Sequence, residues 1–227
     1  MKRISIVGIL LLSVLFTNAQ NPIYYLLVGT YTNTGASEGI YVYRFNPNKT
    51  EVTLMSKTTG VENPSYLTVS KDQKFVYCVN ENTGDKGSVS AFALDKAKGE
   101  LHFLNKQSSG GDAPCFINID ATGKNVIAAN YSGGNFSVFK TNADGTLNPF
   151  VQLIAHQGYG VNVERQEMPH PHAAVFSPDQ KYLFVPDLGN DRLYQYHFNA
   201  TDATNPVTES DPPYYEIPDG SGPRQFI

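Results

Sequence analysis

Residues 63–82, "NPSYLTVSKDQKFVYCVNEN", contain the pattern that decides the fold of this 227-residue chain. Two short runs rich in aromatic and β-branched residues flank the polar turn "SKDQ", which is typical of two antiparallel strands. Similar stretches return as "APCFINIDATGKNVIAANYS" at 113–132 and "HPHAAVFSPDQKYLFVPDLG" at 170–189. A proline near the start of each unit recurs at intervals of 50, 57 and 52 residues, at Pro64, Pro114, Pro171 and Pro223. This regular return indicates an internal repeat of about fifty residues.

Each unit continues into two further runs of strand-forming residues, so four strands are predicted per unit. In the unit that begins at Asn63 they cover residues 66–70, 75–80, 88–94 and 101–106. Four up-and-down strands repeated at this period form a blade of a β-propeller. A two-sheet sandwich is the competing architecture, but it does not explain the regular return of proline. We therefore predict an all-β protein, a β-propeller of four-stranded antiparallel blades, in which an earlier unit lacks its first strand.

Residues 1–19 have the pattern of a secretory signal peptide. Two basic residues precede an apolar run at 4–16, and a small-residue cleavage site ends at Ala19. The apolar run is shorter than the roughly 20 residues that a membrane-spanning helix needs, so an uncleaved anchor is the weaker alternative. The pattern predicts an exported protein, periplasmic or extracellular, in which residues 20–227 form the folded domain.

The charge balance after residue 19 argues against nucleic acid and membrane partners, because 15 basic residues face 21 acidic ones. Cys78 and Cys115 lie 37 residues apart, without the paired spacing of a metal site. Either a disulfide or two separate buried thiols fits that spacing. The sequence also lacks an HExxH zinc motif and a phosphate-binding P-loop. We therefore expect no metal and no cofactor.

Propeller geometry sorts the loops onto two faces. Within an up-and-down blade, the first and third turns share one face. These turns have ordinary tight-turn sequences such as "SPDQ", without candidate catalytic or binding residues. The loops between the second and third strands, together with the links between blades, share the opposite face, which we call the site rim. It carries "NENTGDKG", "NYSGGN", "RQEMPHPH", "DLGNDR" and "GSGPRQ". Groups distant in sequence are therefore expected to converge at the mouth of the central channel, where pockets form.

Several of these segments carry a family resemblance. "VGTYT", "NYSGG", "RQEMPHPHAAVFSPDQKYLFVPDLGNDR" and "GSGPR", in this order, resemble the lactonase family of seven-bladed β-propellers, which includes 6-phosphogluconolactonases and the related carboxy-cis,cis-muconate cyclases. The resemblance extends from about Tyr24 to the last residue. It implies seven blades, of which about four would be present in a C-terminally incomplete chain. The expected blades cover roughly 24–62, 63–112, 113–169 and 170–222, with the start of the next at 223–227.

The resemblance also shows two departures. Phe116 and Gln225 stand at positions where the family usually has histidine. If either imidazole is needed for the chemistry, this member has a changed substrate or has lost activity.

His170 and His172 are the candidate catalytic bases. They alternate on one side of an extended link, because Pro171 favours that shape. An imidazole can activate water near neutral pH, and Glu167 is the candidate acid beside them. Glu81 is a further candidate acid. In the structural alternative, each histidine packs beneath the loop as a hydrogen-bonding group.

Three arginines are candidate substrate-binding residues, since a guanidinium offers a planar fork of donors to a phosphate or carboxylate. They are Arg165, Arg224 and Arg192. Each could instead tie down a loop through a neighbouring carboxylate.

Asp187, Asn130 and Tyr131 complete the predicted substrate-binding set. Asp187 and Asn130, like Asn80, end the second strand of a blade, so a structural role in capping the backbone is the favoured alternative for these positions. The remaining histidines, which we expect to be ordinary surface or edge residues, are His102, His156 and His197.

These residues lead to one functional hypothesis and two alternatives. The leading hypothesis is hydrolysis of a sugar-acid lactone, a small molecule, by attack of water on the ester carbonyl. Export weakens the assignment to 6-phosphogluconolactone, a cytoplasmic metabolite, more than it weakens lactonase chemistry. A muconate-type cyclase is the first alternative. A non-catalytic ligand-binding propeller is the second, and Phe116 and Gln225 favour it because neither side chain titrates.

Overall fold

The computed structural model describes residues 24–225, so the predicted signal peptide lies outside the described residues. All regular structure in this range is antiparallel β-sheet. The first sheet has three strands, β1 (Tyr24–Val28), β2 (Gly39–Asn46) and β3 (Glu51–Thr59). No helix in the described part of the chain is long and apolar enough to cross a membrane.

The other three sheets each have four strands, paired in chain order. The second sheet contains β4 (Leu67–Val69), β5 (Phe75–Asn80), β6 (Ser88–Asp95) and β7 (Glu100–Ser108). The third contains β8 (Pro114–Ile119), β9 (Asn125–Asn130), β10 (Asn135–Thr141) and β11 (Leu147–Ala155). The fourth contains β12 (Val175–Phe176), β13 (Tyr182–Asp187), β14 (Arg192–Phe198) and β15 (Val207–Glu216). The predicted four-stranded antiparallel blades are confirmed, and the first sheet has one strand fewer.

Burial explains why the middle strands are mainly apolar. All six residues of β9, "NVIAAN", are buried, because both faces of a blade pack against neighbouring blades. The outer strand β7 is mostly exposed or half-buried, and it is correspondingly polar. The cores are shared between blades: Phe136 and Ile127 of the third sheet belong to one cluster with Leu183 of the fourth. Packing of sheet against sheet therefore fixes the order of the blades.

The turns on the face opposite the site rim are held by local hydrogen bonds. Ser70 Oγ donates to Asp72 at 2.7 Å, and Ser177 Oγ makes the same bond to Asp179 at 2.7 Å. Each of these turns contains a left-handed residue, Gln73 (φ 57°) in the first and Gln180 (φ 59°) in the second; in the equivalent turn "DATG" it is Gly123 (φ 71°). These contacts account for the turn sequences without a ligand.

Candidate functional site

Polar residues at the ends of the second strands hold the links at the site rim. Asn130 donates from Nδ2 to the carbonyl of Ser109 at 3.0 Å. Asp187 accepts the backbone N–H of His170 at Oδ1 over 2.7 Å. Asn130 and Asp187 are both 0% exposed, so they lie beneath the rim and position its backbone. This geometry matches the capping alternative, and Asn80 ends β5 at the equivalent place.

His156 is buried, so the expectation that it is a surface or edge residue was wrong. Its Nδ1 lies 2.6 Å from Asp187 Oδ2, and its Nε2 lies 3.0 Å from the hydroxyl of Tyr196. Its ring stacks on Tyr194 at 3.7 Å. The long link 156–174 turns inward after β11, which its sequence does not reveal. His102 and His197 are exposed, as expected.

His170 is oriented by its neighbour Tyr131. Its Nδ1 donates to the Tyr131 carbonyl at 2.9 Å, and the two rings stack at 4.3 Å with an interplanar angle of 10°. When the ring is neutral, its proton therefore resides on Nδ1 and Nε2 carries the lone pair. That Nε2 lies 3.4 Å from Oε1 of Glu167.

His172 has a different environment two residues further on. Its Nε2 accepts a hydrogen bond from Nε of Arg224 at 3.0 Å, and Cys115 Sγ lies 3.9 Å from its Nδ1. Burial, together with the Arg224 charge, lowers the pKa of His172. The ring is therefore neutral near pH 7, with its lone pair directed at the guanidinium.

The structure brings two of the three candidate arginines to the histidines. Arg165 Nη2 donates to the Tyr131 hydroxyl at 3.2 Å, and Arg224 is bonded to His172. Both guanidinium-bearing residues are exposed at the rim. Arg192 lies instead over the ring of Tyr214, 4.1 Å from its centroid.

Glu167 is an exposed carboxylate next to this group. Its own backbone N–H is the main cause that lowers its pKa, and a protonated His170 and the charge of Arg165 act in the same direction. Glu167 is therefore ionised near neutral pH. It can balance a positive charge on His170.

A second acidic group lies on the neighbouring loop. Glu81 accepts hydrogen bonds at Oε2 from the hydroxyls of Tyr31, at 2.8 Å, and Ser65. Sequence reasoning named Glu81 but missed Tyr31, Ser65 and Cys115. These three occupy separate blades, so only the folded ring relates them to the acids and histidines.

The two departures from the family pattern lie close together. Phe116 is 7% exposed, and its ring packs on Tyr66 at 4.7 Å. Gln225 lines a small cavity with both of these aromatic residues. Neither position therefore places a titratable group next to that cavity.

Cys78 and Cys115 are two separate free thiols. Cys78 is buried within β5, whereas Cys115 lies beside His172. Burial raises the pKa of each thiol to about 12. Of the two alternatives left open by the sequence, the structure shows separate thiols.

Comparison with known proteins agrees with the bladed fold. The model of the lactonase family, described as a 7-bladed β-propeller, matches residues 25–227. The 6-phosphogluconolactonase of Bacillus subtilis (strain 168) is 37% identical over 199 residues, which cover 88% of this chain and 54% of that protein. The all-β propeller fold and this match define the class, and the chain belongs to the lactonase family of seven-bladed β-propellers. The predicted family is confirmed.

Two solved structures show the same fold. A Bacteroides fragilis protein has 45% identity and a TM-score of 0.85, covering 89% of this chain and 57% of that one. The periplasmic gluconolactonase of Pseudomonas aeruginosa has 38% identity and a TM-score of 0.83, covering 91% of this chain and 58% of that one. The chain thus spans just over half the length of these relatives.

Proposed function

We propose that this protein hydrolyses a sugar-acid lactone by attack of water on the ester carbonyl. The observation that carries the proposal is the convergence of His170, Glu167 and two exposed guanidinium groups on one rim. The names of the Bacillus and Pseudomonas relatives support lactone hydrolysis over the cyclase and the binding-module alternatives.

His170 is the base in this scheme, because its Nε2 lone pair is free of the Tyr131 bond at Nδ1. Nε2 accepts a proton from water as the water oxygen bonds to the carbonyl carbon. The resulting imidazolium is balanced by Glu167, 3.4 Å away. When the ring C–O bond breaks, the same proton passes to the leaving alkoxide oxygen, which gives the open hydroxy acid.

His172 is a positioning residue for Arg224. Its Nε2 lone pair already accepts the Arg224 N–H, so it is not available to a water molecule. This bond uses Nε and leaves the terminal NH₂ groups of Arg224 for a substrate oxygen. The oxyanion that develops on the attacked carbonyl is the group that such donors stabilise most. Arg165, fixed by the Tyr131 hydroxyl, would bind a second anionic oxygen.

The proposed location is outside the cytoplasm. The signal-peptide pattern at 1–19 supports it, and the related Pseudomonas protein is described as periplasmic. An exported enzyme would meet unphosphorylated aldonolactones, so glucono-δ-lactone is the first substrate to test.

The test compares lactone opening by the purified protein with the uncatalysed rate near pH 7. We expect acceleration by the wild type and a loss of about 100-fold or more in kcat for His170→Ala. His172→Ala should mainly raise KM, because Arg224 loses its support. Arg192→Gln is the control and should retain activity. Absence of opening above background, or full kcat in His170→Ala, would contradict the proposal.

A further inference from the structure

We infer that Glu81 selects hydroxylated substrates by accepting hydrogen bonds from their hydroxyl groups, an inference that rests on the proposed lactone hydrolysis. Glu81 follows the last residue of β5, on a loop of the site rim. Its backbone N–H donates to the Asn63 carbonyl at 3.0 Å, which fixes the loop.

The two oxygens of the Glu81 carboxylate differ in their surroundings. Oε2 accepts the hydroxyls of Tyr31 and Ser65, whereas Oε1 has no hydrogen-bond donor among residues 24–225. Burial, followed by the bond to Glu81, raises the pKa of Tyr31 to about 12, so this hydroxyl remains a donor near pH 7. One oxygen is therefore held in place, and the other is an oriented acceptor.

No lysine or arginine forms an ion pair with Glu81 within the described range. Its partners are neutral hydroxyls, so its charge is not used to tie down a loop through a cation. A partly exposed carboxylate of this kind suits further neutral donors. Carboxylate–hydroxyl bonds are charge-assisted and stronger than neutral ones.

Glu81 lies near the proposed reaction site. The Ala113 N–H donates to the Asn82 carbonyl at 2.9 Å, which joins the Glu81 loop to the residues just before Cys115. Cys115 in turn lies 3.9 Å from His172. The charges of Glu81 and Arg224 both act on this thiol, in opposite directions on its pKa.

The rim thus has a donor end and an acceptor end. Arginine offers only donors, and an ionised carboxylate offers only acceptors. A polyhydroxylated lactone fits both, with its carbonyl oxygen at the arginines and its hydroxyls at Glu81. A site built to bind substrate hydroxyls discriminates strongly against analogues that lack them.

The test compares Glu81→Gln with the wild type on glucono-δ-lactone and on δ-valerolactone, which lacks the hydroxyls. We expect kcat/KM for glucono-δ-lactone to fall about 10- to 100-fold, and kcat/KM for δ-valerolactone to stay within about twofold. Glu100→Gln, at the half-buried first residue of β7, is the matched control and should change neither value. Equal losses on both lactones, or no loss on either, would overturn the inference.

A binding measurement separates this inference from the proposed reaction. By calorimetry, we expect the wild type to bind gluconate more tightly than 5-hydroxypentanoate, and Glu81→Gln to lose most of that preference. If the wild type opens neither lactone, the proposed function is wrong, yet loss of the preference still supports the role of Glu81. A preference that persists in Glu81→Gln overturns that role. Tyr31→Phe, which removes one donor from Oε2, should reduce the preference partially. This second variant keeps the inference testable if Glu81→Gln does not fold.

Discussion

Nε of Arg224 donates a 3.0 Å hydrogen bond to Nε2 of His172, a residue 52 positions earlier in the chain. Only the neutral imidazole can accept this bond, because a protonated ring has donors at both nitrogens. The position of the guanidinium at the rim therefore depends on the protonation state of His172.

Stability should decrease in mild acid through His172. Burial and the Arg224 charge lower its pKa in the folded state below the value of about 6.5 for an unperturbed histidine. The unfolded chain then binds a proton that the folded chain does not, so this contribution is complete above about pH 6.5 and is lost as the pH falls toward the folded pKa. Urea unfolding at several pH values should show a weaker pH dependence for His172→Gln. His102→Gln, at an exposed position, should behave as the wild type, and identical profiles for all three proteins would contradict the prediction.

Replacement of Arg224 should impair substrate binding more than replacement of Arg192. Arg224→Gln removes the terminal donors and the bond to His172, and we expect KM for glucono-δ-lactone to rise about tenfold or more. Arg192 is placed over Tyr214, so Arg192→Gln should leave KM nearly unchanged. Steady-state kinetics on both variants shows which arginine binds the substrate. A larger rise in KM for Arg192→Gln than for Arg224→Gln would contradict the prediction.

Asp187→Asn should destabilise the fold. The buried carboxylate accepts from the backbone of His170 and Gly189 and pairs with His156. An amide cannot accept from all three with the same strength, and weakening a buried charged network costs about 3 kcal/mol. Chemical denaturation measures this loss. Asp179→Asn, in an exposed turn, should cost less than about 0.5 kcal/mol, and equal costs would show that the network is unimportant.

Gly189→Ala should misplace the catalytic link. An added Cβ would lie 1.8 Å from the Met168 carbonyl oxygen and 2.8 Å from the His170 nitrogen, so the link must shift. A shift of about 1 Å at a catalytic base lowers kcat by about 100-fold. Gly123→Ala is the control, because Gly123 lies on the face opposite the site rim and no atom is within 4 Å of the added carbon. That control should lose some stability but keep its kcat; unchanged kcat in Gly189→Ala would show that the link tolerates the side chain.

Both cysteines should resist thiol reagents in the native protein. Burial raises the pKa of Cys78 and of Cys115 to about 12, so little thiolate is present at pH 8. A chromogenic disulfide reagent should label neither thiol rapidly before denaturation and both in concentrated guanidinium. Rapid labelling of Cys115 alone would contradict the prediction for this thiol and would indicate that the contact between β8 and His172 opens in solution.

Much of the fold could be predicted because the repeat is local. The strand expected at 75–80 is β5 as observed, since a mainly apolar run of this length bounded by turns is too short for a helix. The short first strands were less well defined, and β4 spans only three residues of the predicted 66–70. Its ends depend on pairing with β5 rather than on its own sequence.

The candidate site was only partly predictable. The link around Pro171 and the "GPR" segment could be assigned to one rim from strand alternation alone. The inward turn of His156 and the hydrogen bond between Tyr31 and Glu81 could not, because each joins residues from different blades. Which of the two histidines has a free lone pair also depends on hydrogen bonds that the sequence does not show.

The amino-acid pattern alone predicted the strands, the blade repeat and the face on which the polar loops lie, because side-chain periodicity and turn chemistry act over a few residues. The family followed from the resemblance of its motifs. Only the tertiary structure decided that His172 supports Arg224, that His170 faces Glu167 and that Asp187 is buried beneath them. Such distinctions depend on distances of a few ångströms between separate blades, where hydrogen-bond direction and burial set the charge and role of each group.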